Sequence, residues 1–262
     1  RLSCPQNGDA ETMKLLLVCE YWYGTGGWSY RKHLERLGCE VEIFDYRRSF
    51  FSTGASLPLV SAATRRVNAR MMNRAFIEAA KRFRPDLVLF LKGETITASA
   101  IREVKAACNP VLAQWYPDGP FNVEVKNATR ESIASIPLFD LYYIYARSLM
   151  DPLRDAGARR VEYLPFCYDP DMLRPPEHVS DADLRKYATD VVFAGTWEPM
   201  RQWWLEEIPG FNLSIWGNMW DRVPPGAPIR AKWKGSAVYG EEISKLFAVS
   251  KIHLNFLREQ NS

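Results

Sequence analysis

The stretch DVVFAGTWEPMR (190–201) holds the most chemistry in this sequence. Strand-forming residues run into Gly195, and the loop after it, which includes Thr196, delivers Arg201. In an α/β protein such a junction brings backbone N–H groups and a guanidinium toward one anionic ligand. Arg201 also has a plainer reading, as a surface residue of the helix that follows. Near the start of the chain, Tyr23-Gly24-Thr25-Gly26-Gly27-Trp28 follows a strand and opens a helix. Gly26 and Gly27 can let backbone approach a ligand closely, or can serve a turn that needs positive φ. Their spacing is not the dinucleotide fingerprint, which needs a further glycine and a strand-end acid. Lys92-Gly93-Glu94 follows an apolar run; its two charges can pair with each other or contact a polyhydroxylated acceptor. WYPDGPFN (115–122) sets aromatics beside one carboxylate. Trp115 can stack on a sugar ring and Asp118 can deprotonate a hydroxyl, while the same residues also suit an Asp-Gly turn.

The remaining reactive side chains point elsewhere. His33, His178 and His253 are too scattered for a metal site and match no triad spacing, so no metal site is expected. The five cysteines (4, 19, 39, 108 and 167) are odd in number and lack metal-ligand spacing. They read as reduced structural thiols, which places the chain in the cytoplasm. Arg47-Arg48, Arg65-Arg66 and Arg159-Arg160 read as solvated faces, and a net charge of +3 gives no argument for nucleic acid. No apolar run is long enough to cross a bilayer, and residues 1–12 carry no apolar leader core.

These residues need a scaffold, and the apolar pattern supplies one. Strands are expected at 14–20, 41–44, 87–91, 111–115, 141–145 and 161–164. Helices are expected at 29–37, capped by Ser29, and at 61–83, 97–108 and 148–156. The alternation implies an open parallel sheet with right-handed crossovers, whose ligands bind beyond the carboxyl ends of the strands. The loops at 22–28, 92–96, 116–122 and 165–171 lie there. A second α/β series begins at 191–194 and continues through 213–216 and 252–255. The expected organisation is a tail at 1–12, a Rossmann-like domain at 13–168, a polar, proline-rich linker at 169–189 and a second Rossmann-like domain at 190–262. The last stretch is short for a finished doubly wound domain, so it is expected to be incomplete at its C-terminus. Two such domains fit a transferase using an activated, phosphate-bearing donor.

Several segments carry a resemblance. DVVFAGTWEPMR (190–201), LSIWGNMW (213–220), KGSAVYGEEISKLFAVSKIHLNF (234–256) and YLPFCYDPDMLRP (163–175), with LKGETIT and WYPDGP in the first domain, resemble glycosyltransferases of the GT-B fold. Within these, the chain resembles the group related to the spore maturation protein CgeB. The resemblance implies transfer of a sugar from a nucleotide-sugar co-substrate to an acceptor hydroxyl, with no cofactor and no obligatory metal. It implies that Gly195, Thr196 and Arg201 meet the diphosphate, Val238 and Tyr239 the base, and Asn255 the donor. Gly26, Gly27, Lys92, Glu94 and Trp115 would face the acceptor, with Asp118 as base. Relatives continue with an arginine, a ribose-binding glutamate and a glycine turn, whereas this sequence ends at Gln260-Asn261-Ser262. Two alternatives stay open: a non-catalytic binding protein, and a sugar-nucleotide epimerase of the same architecture.

Overall fold

The computed structural model describes residues 12–48, 58–124, 128–208 and 210–256. The expected tail, save residue 12, and residues 260–262 lie outside them. The chain divides into two compact units, Arg1–Cys167 and Tyr168–Ser262.

The first unit contains β1 (Lys14–Cys19), α1 (Gly26–Arg36), β2 (Glu40–Asp45), α2 (Pro58–Phe83), β3 (Leu87–Leu91) and α3 (Ala98–Cys108). It continues with β4 (Val111–Tyr116), α4 (Arg130–Ser135), β5 (Leu141–Ile144), α5 (Met150–Asp155) and β6 (Val161–Tyr163). The six strands form one parallel sheet in the order β2-β1-β3-β4-β5-β6. β1 shows why. Side chains alternate across a strand, so Leu16 and Val18 face one side, and Leu15, Leu17 and Cys19 face the other. Phe76 of α2 with Ile101 and Val104 of α3 covers the first face; Tyr30 and Leu34 of α1 cover the second. A strand buried on both faces must be apolar throughout, and each buried leucine contributes roughly 2 kcal/mol. Burial, together with the carboxylates of Asp45 and Glu20, pushes the Cys19 thiol up to about 12, so it packs as a small apolar group.

The second unit contains α6 (Asp181–Tyr187), β7 (Thr189–Ala194), α7 (Pro199–Glu206), β8 (Leu213–Trp216), α8 (Glu241–Val249) and β9 (Ser250–Leu254). Its strands are parallel in the order β8-β7-β9. Val191 and Phe193 pack with Leu205, Ile215 and Trp220 on one face; Val192 and Trp216 pack with Tyr187, Val238 and Leu246 on the other. In both units the first strand has a neighbour on each edge, so the strand order reverses there. Such switch points open a crevice at the carboxyl ends of the strands.

Three local features differ from the sequence reading. Helix α1 starts at Gly26 rather than Ser29, because Thr25 Oγ1 accepts the Trp28 N–H and caps it. The stretch 169–189 is not all linker: Ser180 and Asp183 form a reciprocal capping box that starts α6. Lys186 Nζ and Tyr187 Oη then donate to Glu242 of α8. Helix α4 is likewise started by a box between Thr129 and Ser132. Among the described residues, no helix is long and apolar enough to cross a membrane.

Candidate functional site

In the first unit, the loop after β1 is built from a tight turn. Gly24 has φ +98°, which only a residue without Cβ adopts cheaply. Thr25 Oγ1 donates to Trp22 O at 2.7 Å and closes the turn. Gly26 and Gly27 serve a different end, since neither is among the residues with positive φ. A Cβ on Gly27 would lie 2.5 Å from both Cys19 Sγ and Glu20 O, so this glycine lets α1 seat on β1. At Gly26 a Cβ would meet open space, so of these two glycines it is Gly26 whose bare backbone faces outward.

The loop after β3 is strained and braced. Lys92 has φ +72° and Gly93 φ +64°. The left-handed region costs a non-glycine residue about 1 kcal/mol. Lys92 N–H donates to Trp115 O at 3.0 Å, and its carbonyl accepts from Gln114 Nε2 at 3.0 Å. Its ammonium reaches Asp118 Oδ2 at 2.6 Å, with both side chains mostly covered. The expected pairing of Lys92 with Glu94 is therefore corrected: a left-handed Lys92 directs its side chain to β4's loop instead. A base role for Asp118 must use its other oxygen or require the pair to open.

Glu94 pairs with Arg47, whose Nη2 lies 2.7 Å from Oε1; the glutamate side chain is 8% exposed. Its Oε2 is buried and makes no hydrogen bond. Arg47 Nε lies 4.0 Å from Glu20 Oε2, and Trp22 Nε1 donates to Glu20 Oε1 at 2.9 Å. Arg47 also lies over the Tyr46 ring, 5.2 Å from its centroid. The solvated-face reading of Arg47 is thus replaced by a bridge between the loops after β1 and β3. Burial would lower the Arg47 guanidinium's affinity for its proton, but Glu94, Tyr46 and Glu20 raise it overall. Burial, reinforced by the Glu94 charge, pushes the Tyr46 hydroxyl up, and the Tyr116 hydroxyl is also raised, chiefly by burial. Trp115 is packed between Tyr30, at 6.1 Å, and Phe166, at 5.2 Å, and Trp115 Nε1 donates to Leu164 O. Its rings are largely engaged within the fold. Trp22 and Tyr23, 44% and 54% exposed, are not engaged to that extent.

In the second unit, backbone rather than charge holds the carboxyl-end loops. Gly195 N–H donates to Trp216 O at 2.8 Å, and Trp197 N–H to Asn218 O at 2.9 Å. Those two donors are therefore committed to the β8 loop and not to an anion. Trp220 Nε1 donates to Gly195 O, and Trp233 Nε1 to Gly217 O. A Cβ on Gly217 would lie 1.9 Å from Gly195 O, so the two loops touch backbone to backbone. Arg201 is not a surface residue: its side chain is 11% exposed. Its Nη1 donates to Thr196 O at 3.0 Å and Nη2 to Phe256 O at 2.8 Å, tying the end of β7 to the end of β9. The guanidinium also lies over the Phe193 ring. Val238 is buried in the core, Tyr239 accepts from Asn218 Nδ2 at 3.3 Å, and Asn255 is exposed just past β9.

The structure thus gathers Lys92, Glu94 and Asp118 at the first switch point and Gly195, Thr196 and Arg201 at the second. Glu20 was not singled out by sequence, Trp22 and Tyr23 were read only as part of the loop after the first strand, and Arg47 only as half of a basic pair. Their position at the carboxyl ends of β1 and β2 was the signal available.

No protein-family model matches this sequence, and no curated protein matches it. Solved structures do. The chain is similar to the UDP-GlcNAc 2-epimerase from Methanocaldococcus jannaschii, with a TM-score of 0.52 at 9% identity, over 92% of this chain and 78% of that one. It also matches the apo form of the lipopolysaccharide outer core galactosyltransferase WaaB, with a TM-score of 0.42 at 13% identity, over 78% of this chain and 60% of that one.

 A third match is Arabidopsis thaliana UGT89C1 complexed with UDP, with a TM-score of 0.41 at 13% identity, over 77% of this chain and 58% of that one. The chain therefore spans less than two thirds of either of these two proteins. At these identities the likeness is one of fold, and it is carried by the epimerase match: an α/β chain of two Rossmann-like units, the GT-B fold.

Proposed function

We propose that this chain transfers a sugar from a nucleotide-diphosphate sugar to an acceptor hydroxyl, as a GT-B glycosyltransferase of the CgeB-related group. The observation that carries the reading is the pair of switch points, each lined by the residues that the sequence singles out. In this reading the second unit takes the donor: Thr196 and Arg201 lie toward the diphosphate, with Gly195 contributing only its Cα face. Val238 and Tyr239 flank the base, and Asn255 borders the sugar. The first unit takes the acceptor along Gly26, Lys92, Glu94 and Trp115, with Gly27 seating the helix, and Asp118 removes the hydroxyl proton. Charge on the departing diphosphate is met by protein donors, without an obligatory metal.

The test is incubation of the chain with UDP-, GDP- and dTDP-sugars, with product analysis and melting temperature as readouts. A nucleotide present at a hundred times its Kd raises stability by about 2.7 kcal/mol. Asp118→Asn is expected to lower turnover by about 10²–10⁴-fold while leaving nucleotide binding intact. Full turnover in that variant removes Asp118 from the mechanism, and no thermal shift with any nucleotide ends the donor reading. Epimerisation of a nucleotide sugar is the second reading, favoured by the similarity to UDP-GlcNAc 2-epimerase. It predicts an epimeric nucleotide sugar as product with no acceptor added.

A further inference from the structure

The loop after β1 presents wide aromatic rings on a rigid support. Trp22 and Tyr23 are exposed, yet the turn beneath them is closed by Thr25 through bonds to Trp22 O and from Trp22 N–H. Trp28 stacks on Tyr21, with centroids 5.6 Å apart, and meets Tyr23 edge-on at 5.8 Å. Arg31 Nη1 donates to Tyr21 Oη at 3.1 Å and fixes the far side of the stack. Rings held in this way lose little conformational entropy when a ligand settles on them.

The groups beside the rings define the ligand. Glu20 lies next to Trp22 through the 2.9 Å bond from the indole, Arg47 lies next to Glu20, and Glu94 next to Arg47. Carboxylates accept from hydroxyl pairs, and a guanidinium donates in a fork that matches two adjacent oxygens. Glu94 is more than nine-tenths buried and its Oε2 makes no hydrogen bond, leaving an acceptor beneath the cluster for a hydroxyl or a water to meet. Glu20, Glu94 and Arg47 together carry excess negative charge, while Lys92 and Asp118 cancel each other. That balance disfavours phosphate and carboxylate ligands. Apolar C–H faces, many hydroxyls and no charge are the properties of a neutral saccharide.

We propose that the β1–α1 loop is a saccharide shelf, with a sugar ring lying on Trp22 and Tyr23 and its hydroxyls bonded to Glu20 and Arg47. The acceptor is then a neutral carbohydrate. This rests on the reading above in placing the acceptor on the first unit.

The experiment is calorimetric and tryptophan-fluorescence titration of the chain, with no nucleotide present, against neutral trisaccharides of glucose, galactose, mannose and N-acetylglucosamine. A uronic-acid trisaccharide and a flavonoid phenol complete the panel. At least one neutral trisaccharide is expected to bind and perturb the emission. Trp22→Ala and Tyr23→Ala should each weaken it by about tenfold or more, the scale of one lost ring contact. Glu20→Gln should weaken it several-fold, and Trp203→Ala, an exposed tryptophan of the second unit, should leave it unchanged. Because Trp22 is exposed, the Trp22→Ala protein should keep the wild-type melting temperature. The proposal is overturned by no binding of any neutral trisaccharide, by wild-type affinity in Trp22→Ala, or by preference for the phenol or the uronic acid. Nucleotide binding is measured separately, so loss of the donor reading and loss of the shelf are distinguishable.

Discussion

The two units share a strand order around their first strand and hold its carboxyl-end loops by different means. In the first, charged side chains span the loops: Arg47 to Glu94, and Lys92 to Asp118. In the second, main chain touches main chain at Gly195 and Gly217, and Arg201 donates to two carbonyls, with Glu198 Oε2 3.8 Å from its Nε. Side-chain bridges can be exchanged for ligand contacts one at a time. Backbone stitching cannot, so the second unit offers a fixed cradle, while the first sets exchangeable charged contacts beside the braced rings of its β1–α1 loop.

Substituting the matched glycines gives the sharpest test of that contrast. Gly217→Ala places a methyl 1.9 Å from Gly195 O, where neither backbone can yield cheaply. It is expected to cost about 3 kcal/mol or more, seen as lost amide-exchange protection confined to β7–β9. Gly27→Ala meets Cys19 Sγ and Glu20 O at 2.5 Å, and a rotatable thiol is one of the two obstacles. The expected cost is about 1–3 kcal/mol, read in the first unit. Equal effects in both units would break the comparison.

Arg201→Lys comes next. One ammonium cannot reach two carbonyls in the way a planar fork does, so a loss of about 1–2 kcal/mol is expected. A variant with unchanged stability but no nucleotide binding would make Arg201 a ligand residue alone.

The smallest effect belongs to the amino end of the first sheet. Burial alone would raise the Asp140 carboxyl, but bonds from Lys105 Nζ and Leu112 N–H, with Arg159 nearby, hold it below its ordinary 3.8. A depressed value in the fold means that the stabilisation is present above pH 3.8 and is lost as pH falls through the lower folded value. Asp140→Asn should cost about 1 kcal/mol at neutral pH and flatten acid unfolding below pH 4, as followed by circular dichroism.

Much of this framework was legible in the residues. Apolar runs such as Leu87–Leu91 mark strands buried on both faces, and a parallel sheet fixes which loops share an end. Partner choice was less legible. Lys92 and Asp118 are 26 residues apart, and nothing local announces that Lys92 turns left-handed and away from Glu94. Arg47 looked like one of several basic pairs because its partner arrives only when β3 pairs beside β1. Helix α6 could have been read, since Ser180 and Asp183 have capping-box spacing, but the surrounding prolines spoke for a linker.

Cys19 gives the protein an internal clock. Its sulfur is sealed inside the first sheet and stays protonated at neutral pH, whereas Cys167 is open to solvent. An alkylating reagent should therefore mark Cys167 at once and Cys19 only as often as β1 leaves its neighbours. The lag between the two adducts, followed by mass spectrometry, times the opening of that strand in the intact chain.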